Sequence, residues 1–170
     1  MGTATLGSTT STQDKEGEVL ESHPVPVFSR EQIDAAVNTM RGDFYQLPPM
    51  VSAIKMGGVP LYKLARKGQV VEREPRLVHV FESEINRLEL PEIDFRIVCS
   101  KGFYVRTYAH DLGQQLGCGA HLSALRRSRS GSFTFQPGKF ATYDMLKQGR
   151  REEVLDAMYS LYDVSKLRGV

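Results

Sequence analysis

Between Arg76 and Cys99 the chain carries three β-type runs, Arg76–Phe81, Ile85–Leu90 and Asp94–Cys99. The first alternates polar and apolar side chains, the period that sends neighbours to opposite faces of a pleated strand. Pro91-Glu92, between the second and third, marks a hairpin turn, so those two strands are antiparallel neighbours. Helical and strand patterns on either side are mixed without strict alternation, which predicts an α+β fold: a mixed, largely antiparallel sheet with flanking helices.

Residues 3–6 read as the tail of a strand, and Gly7 to Gly17 as a Gly/Ser/Thr-rich loop without periodicity. Pro24 and Pro26 mark an extended connection. Ser29 with Gln32 three residues on is a capping box, followed by the apolar stripe Ile33, Ala36, Val37 and Met40 and a stop at Gly42. Residues 43–60 are the least regular: Gln46–Met50 is extended, and Gly57-Gly58-Val59-Pro60 is a turn. A short helix from Leu61 to Lys67 ends at Gly68, and a longer one runs from about Val105 to Leu116. Ser130–Phe135 alternates as a strand; Thr142 caps a short helix, and Arg151–Tyr162 is an amphipathic stretch. Residues 141–170 read as a helical tail.

Composition excludes several classes. With 41% apolar and 25% charged residues the chain reads as globular, and no apolar run approaches a bilayer span. Met1–Gly7 lacks both the basic region and the apolar stretch of a targeting signal, and Leu6 stands where a myristoylation motif needs Ser or Thr. Two cysteines, Cys99 and Cys118, form no disulfide framework, and four histidines without clustered spacing argue against a structural metal. A reducing compartment is expected. Net charge is only +2, but Lys and Arg concentrate in residues 41–76 and 101–130, a distribution that steers an anionic partner or simply coats a solvated surface.

The densest chemistry lies in Ser100–Gly113, where a strand ends, a glycine turn follows and a helix begins. Tyr104 and Arg106, two apart in what reads as an extended stretch, should face the same way. Arg106 suits a carboxylate or phosphate and Tyr104 a stacked base; alternatively, Arg106 makes a surface pair with Asp111. Downstream, Leu125-Arg126-Arg127 sets guanidiniums beside an apolar residue, either a phosphate groove or a basic strand edge. In the irregular segment, Lys55 precedes a helix that places Tyr62 and Arg66 at i and i+4, on a face for a nucleic-acid backbone or for solvent. Asp14 and Asp111 are the carboxylates near these basic segments, and no pair is spaced for acid–base work. No nucleophilic Ser motif and no Gly-rich phosphate loop is present.

Five segments, in order, resemble the TruB family of tRNA pseudouridine synthases: Leu6–Gly17, Pro48–Lys55, Leu61–Gly68, Ser100–Thr107, and Gly117–His121 leading to Leu125-Arg126-Arg127. Together they span about residues 4–135. The resemblance implies a pseudouridine synthase-like catalytic domain that isomerises a uridine in the T-loop of tRNA, flipping the base out, detaching it from C1′ and rejoining it through C5 without a cofactor. It makes Arg106 the partner of a catalytic Asp, Tyr104 a wall of the pocket and Leu125 the apolar contact of the flipped base. Residues 1–140 become the later part of that catalytic domain and 141–170 its helical tail; 43–76 become a thumb-like insertion on the T-arm, with Lys55, Tyr62, Arg66, Lys101, Arg126 and Arg127 meeting RNA. The family's nucleophile lies in a Gly-x-Leu-Asp-type motif upstream of these segments, and no such motif occurs in this sequence. The chain is therefore expected to be the later part of a catalytic domain, inactive alone, or else a non-catalytic RNA-binding fragment or isoform. Ser11 and Phe103 depart from the family's common Asp and Thr. No metal, cofactor, membrane or separate C-terminal RNA-binding domain is implied; the full-length protein is expected to be monomeric, in the cytoplasm or an organelle (mitochondrion or plastid).

Overall fold

The strands of residues 76–99 lie at the middle of a five-stranded sheet. The computed structural model describes residues 1–136 and 140–169. It divides into two compact units, Met1–Arg126 and Arg127–Val170. In chain order the first contains β1 (Gly2–Leu6), β2 (Ser8–Thr10), β3 (Val19–Ser22), α1 (Arg30–Thr39), β4 (Gly42–Gln46), β5 (Lys55–Met56), β6 (Val59–Pro60), α2 (Leu61–Ala65), β7 (Arg76–Glu89), β8 (Glu92–Cys99), α3 (Val105–Gln115) and β9 (Ala120–Leu125). Five strands form one sheet in the order β4-β7-β8-β1-β9, each neighbouring pair antiparallel. Ile85 stands opposite Phe95, and Ala4 opposite both Ile93 and Leu122. With helices packed against this antiparallel sheet, the α+β expectation holds.

Two expected strands prove to be one. Arg76–Phe81 and Ile85–Leu90 belong to the single strand β7, whose register against β8 shifts between Val80 and Glu82 and again between Ile85 and Arg87. Each irregularity resets the alternation, so the sequence reads as two runs. The loop expected at Gly7–Gly17 holds β2, which pairs with β3; the irregular 43–60 begins with β4, paired to β7 from Gly42↔Val80 to Gln46↔Arg76. Both strands are too short for a period of two to declare itself, and tertiary pairing sets them.

One face of the sheet carries the core. Ala4, Leu6, Ile85, Ile93 and Phe95 pack with Ile33 and Val37 of α1 and with Tyr108, Ala109 and Leu112 of α3. The predicted capping box starts α1: Ser29 accepts from the Gln32 amide, and Gln32 accepts from the Ser29 amide. Such a cap stabilises a helix by about 1 kcal/mol. α3 lies so close to the start of β9 that a Cβ on Gly113 would stand 2.1 Å from the amide nitrogen of Ala120.

In the second unit, the expected strand Ser130–Phe135 is instead a tight hairpin, β10 (Arg129–Ser130) with β11 (Phe133–Thr134), turning at Gly131-Ser132. Thr142 caps α4 (Tyr143–Lys147) as expected. The amphipathic stretch 151–162 divides into α5 (Arg151–Asp156) and the start of α6 (Leu161–Arg168), because Ser160 with Asp163 opens a new capping box.

Candidate functional site

The corner at residue 104 is where strand geometry gives way to helix. Gly102 takes φ +82°, Tyr104 remains extended at φ −106°, ψ 104°, and α3 begins at Val105. Arg106 is therefore already helical, and the expectation that Tyr104 and Arg106 project alike from an extended run does not hold. In the first turn the positive charge of Arg106 meets the positive end of the helix dipole, an arrangement unfavourable by about 0.3–1 kcal/mol unless an anion answers it.

Asp14 answers it. Arg106 Nη1 donates to Asp14 Oδ2 at 3.0 Å, with both side chains only 23% exposed. Nη2 donates to the Val51 carbonyl at 2.6 Å, and Nη1 also reaches the Thr12 carbonyl at 3.4 Å. Asp111, the alternative partner, does not take this role; burial pushes its carboxyl above the ordinary range, with neighbouring His110 pulling it back in part.

The loop that carries Asp14 is pinned to β9. Leu122 donates its amide to the Gln13 carbonyl and accepts from the Lys15 amide on its own, both at 3.0 Å. Gln13 takes φ +63°, and its side chain accepts from Thr107 Oγ1 at 2.9 Å. Asp14 Oδ1 accepts from Thr12 Oγ1 at 2.6 Å and from the Glu16 amide at 3.1 Å. With donors on both oxygens, this carboxylate is built to hold the guanidinium rather than to attack an electrophile.

A cavity of about 270 Å³ opens here, lined by Asp14, Lys15, Glu16 and Arg106 together with Leu122, Ser123, Ala124 and Leu125 of β9. Leu125 is 55% exposed and stands at its mouth. The arrangement offers a flat polar heterocycle an aliphatic contact and a fixed cation. Of the expected pocket residues, Arg106 and Leu125 are brought together; Tyr104 is not among the lining, and its main chain is held instead by Gln46.

The expected RNA contacts are distributed. Tyr62 and Arg66 do meet, the guanidinium lying 5.5 Å from the ring centroid. Lys55, with Arg73 and Arg76, borders a cleft of about 630 Å³ floored by Pro48, Ile54 and Leu61. Lys101 is exposed in the turn before α3; Arg126 exchanges main-chain hydrogen bonds with Met1; Arg127 opens the second unit, exposed. Among the described residues no cluster of His, Cys, Asp and Glu could hold a metal ion, and no helix is long and apolar enough to cross a membrane.

Sequence reading did not find the partners of Arg106. The Thr10-Ser11-Thr12-Gln13-Asp14 run does carry a local signal, hydroxyls two and four residues ahead of a carboxylate. Val51 contributes a carbonyl, which leaves no trace in side-chain type.

The family model described as TruB family pseudouridylate synthase (N terminal domain) matches residues 1–105, and the tRNA pseudouridylate synthase B C-terminal domain matches 106–165. The chain is 59% identical over 132 residues to tRNA pseudouridine synthase B of Opitutus terrae, covering 78% of this chain and 55% of that protein. It is 50% identical over 159 residues to tRNA pseudouridine synthase B of Stutzerimonas stutzeri, covering 93% and 52%. The chain thus spans about half the length of the curated relatives it matches. Its fold is also that of a chain in the crystal structure of a Cbf5-Nop10-Gar1 complex, at TM-score 0.58 and 22% identity over 92% of this chain and 40% of that one. A chain in the structure of an H/ACA RNP bound to a substrate RNA containing 2'-deoxyuridine gives TM-score 0.53 and 20% identity over 91% and 38%. With both family models matched in order and half or more of the aligned residues shared with two tRNA pseudouridine synthases B, the chain belongs to the TruB family of pseudouridylate synthases.

Proposed function

We propose that this chain supplies the base-holding half of an RNA pseudouridine synthase that converts a T-loop uridine of tRNA to pseudouridine. The observation that carries the reading is the Arg106–Asp14 pair, largely buried on the wall of the cavity that Leu125 also lines. A uracil entering there would lie against the Leu125 side chain with the guanidinium ready for a catalytic carboxylate. Cleavage of N1–C1′, rotation of the base and bonding of C5 to C1′ move one proton from C5 to N1 and need no cofactor. Arg106 orients charge in that sequence, and Tyr104 stands at the adjoining helix start. Lys55, Tyr62, Arg66, Lys101, Arg126 and Arg127 meet the T-arm backbone, and the segment around 43–76 grips it.

A second reading, RNA binding without turnover by this stretch of chain, is favoured by Asp14 having donors on both oxygens and by the lack of a Gly-x-Leu-Asp segment in the sequence. One experiment tests what the two readings share. The 170-residue chain is given a T-arm stem-loop containing 5-tritiated uridine. We expect binding whose logarithmic affinity falls linearly with the logarithm of salt concentration, and no tritium release. Release by this chain alone would overturn the assignment of the nucleophile to another segment. Absence of binding at low salt would overturn the RNA reading itself.

A further inference from the structure

We propose that Gln46 is a positioning residue for the candidate site: its carboxamide fixes the main chain of Tyr104 and so sets the aim of Arg106. This rests on the functional reading above and adds a residue to it.

Gln46 is the last residue of β4 and is 2% exposed. Its Oε1 accepts from the Tyr104 amide at 2.8 Å, and its Nε2 donates to the Tyr104 carbonyl at 3.0 Å. A side-chain amide here does what a neighbouring strand would do, pairing both polar groups of one peptide residue. A primary amide offers a donor and an acceptor in one plane on one carbon at every ordinary pH, and Asn is one methylene shorter. The Tyr104 carbonyl is shared with the first helical bond, from the Tyr108 amide at 3.1 Å. The clamp therefore holds the residue on which α3 is started. No side chain of the corner itself provides a cap there.

Its reach extends to Arg106 because the chain that leaves Gln46 returns at Val51, whose carbonyl takes Arg106 Nη2 at 2.6 Å. Residues 46 and 51 thus grip residues 104 and 106 from one side, while Asp14 takes Nη1 at 3.0 Å from another. Releasing the first grip leaves both charges of the ion pair in place and frees the helix start to turn beneath them. Gln46 is not among the residues that line the cavity, so it acts through Tyr104 and Arg106.

The test uses the whole chain with Gln46→Met, which keeps length and removes the donor and acceptor, and Gln46→Glu, which keeps shape and an acceptor. Tyr104 amide exchange is read as a protection factor at each pH, alongside the Arg106 Nε resonance and affinity for a T-arm stem-loop. In Gln46→Met we expect Tyr104 protection to fall by about tenfold or more with the β1 and β9 amides unchanged. The Arg106 resonance should shift, and RNA affinity should fall about fivefold with an unaltered salt slope. In Gln46→Glu the ionised carboxylate keeps an acceptor for the Tyr104 amide, but its second oxygen repels the Tyr104 carbonyl and displaces the side chain. Protection is therefore lower near pH 8 and recovers toward about pH 5, where the protonated carboxyl donates to that carbonyl. A merely space-filling role gives no such recovery, and Gln46→Glu decides the matter if Gln46→Met does not fold. Wild-type protection in Gln46→Met, an unmoved Arg106 resonance, or a flat pH profile in Gln46→Glu would each overturn the proposal. If the wild-type chain binds no RNA, the RNA reading falls, and the exchange and resonance measurements still decide the role of Gln46.

Discussion

Arg106 carries its charge at the end of α3 where a cation is least welcome, and the fold tolerates it because Asp14 is delivered to the spot. With both side chains about a quarter exposed, the pair lies between a surface bridge of little worth and a buried one whose disruption is costly. Asp14→Asn and Arg106→Gln, singly and together, are expected to show a coupling of about 0.5–3 kcal/mol in urea unfolding; additive losses would mean the two do not depend on each other. Asp111 gives a prediction of opposite character. Its folded carboxyl is raised by burial, so its contribution is fully present below the unfolded value near pH 4 and is lost as pH rises through the higher folded value. Asp111→Asn should therefore melt above wild type near pH 7, with the difference closing below about pH 4. Arg106 was legible because an arginine at a strand-to-helix corner is oddly placed for structure. Asp14 was not, since ninety-two positions separate it from Arg106 and only the folding of the 11–17 loop onto β9 joins them.

At the scale of elements, α3 is held by two glycines that work differently. Gly113 faces the first residues of β9, where an added Cβ would come within 2.1 Å of the Ala120 nitrogen and 2.3 Å of the Gly119 carbonyl carbon. Backbone cannot step aside as a side-chain tip can, so Gly113→Ala is expected to cost about 3 kcal/mol or more and to separate α3 from β9. Gly102 has nothing within 4 Å of its missing Cβ, but its φ is +82°. Gly102→Ala should cost only about 1–2 kcal/mol, the strain of a left-handed alanine. Thermal unfolding of the two variants separates crowding from conformation, and equal losses would count against this account of Gly113. α1 and α3 were readable because caps and apolar stripes are local signals. β4 and β9 were not, because five or six residues carry too few turns of any period and their identity comes from pairing with β7 and β1.

For the whole molecule, the boundary in the family models and the boundary in the structure differ. The models divide at residues 105 and 106, one residue into α3, whereas the compact units divide after Arg126. The physical division follows the core. Tyr108, Ala109 and Leu112 of α3, with Ala120 and Leu122 of β9, belong to the same buried cluster as Ala4, Ile93 and Phe95. They lie beyond residue 105, yet without them the core face of β1 and β8 keeps only α1 to pack against. The Arg106–Asp14 pair, the Gln46 clamp and the cavity with Leu125 also lie wholly before residue 127. A polypeptide of residues 1–126 should thus keep a cooperative urea transition and the Tyr104 amide protection of the longer chain. One of residues 1–105 should unfold without a cooperative transition, since losing six buried core side chains, Cys118 among them, at about 1.5–3 kcal/mol for each large one exceeds the usual net stability of about 5–15 kcal/mol at its lower end. Cooperative folding by the shorter piece would make α3 and β9 a later addition to an already sufficient core. Failure of both pieces would place residues 127–170 within the stability of the first unit, a dependence that its own buried cluster does not call for.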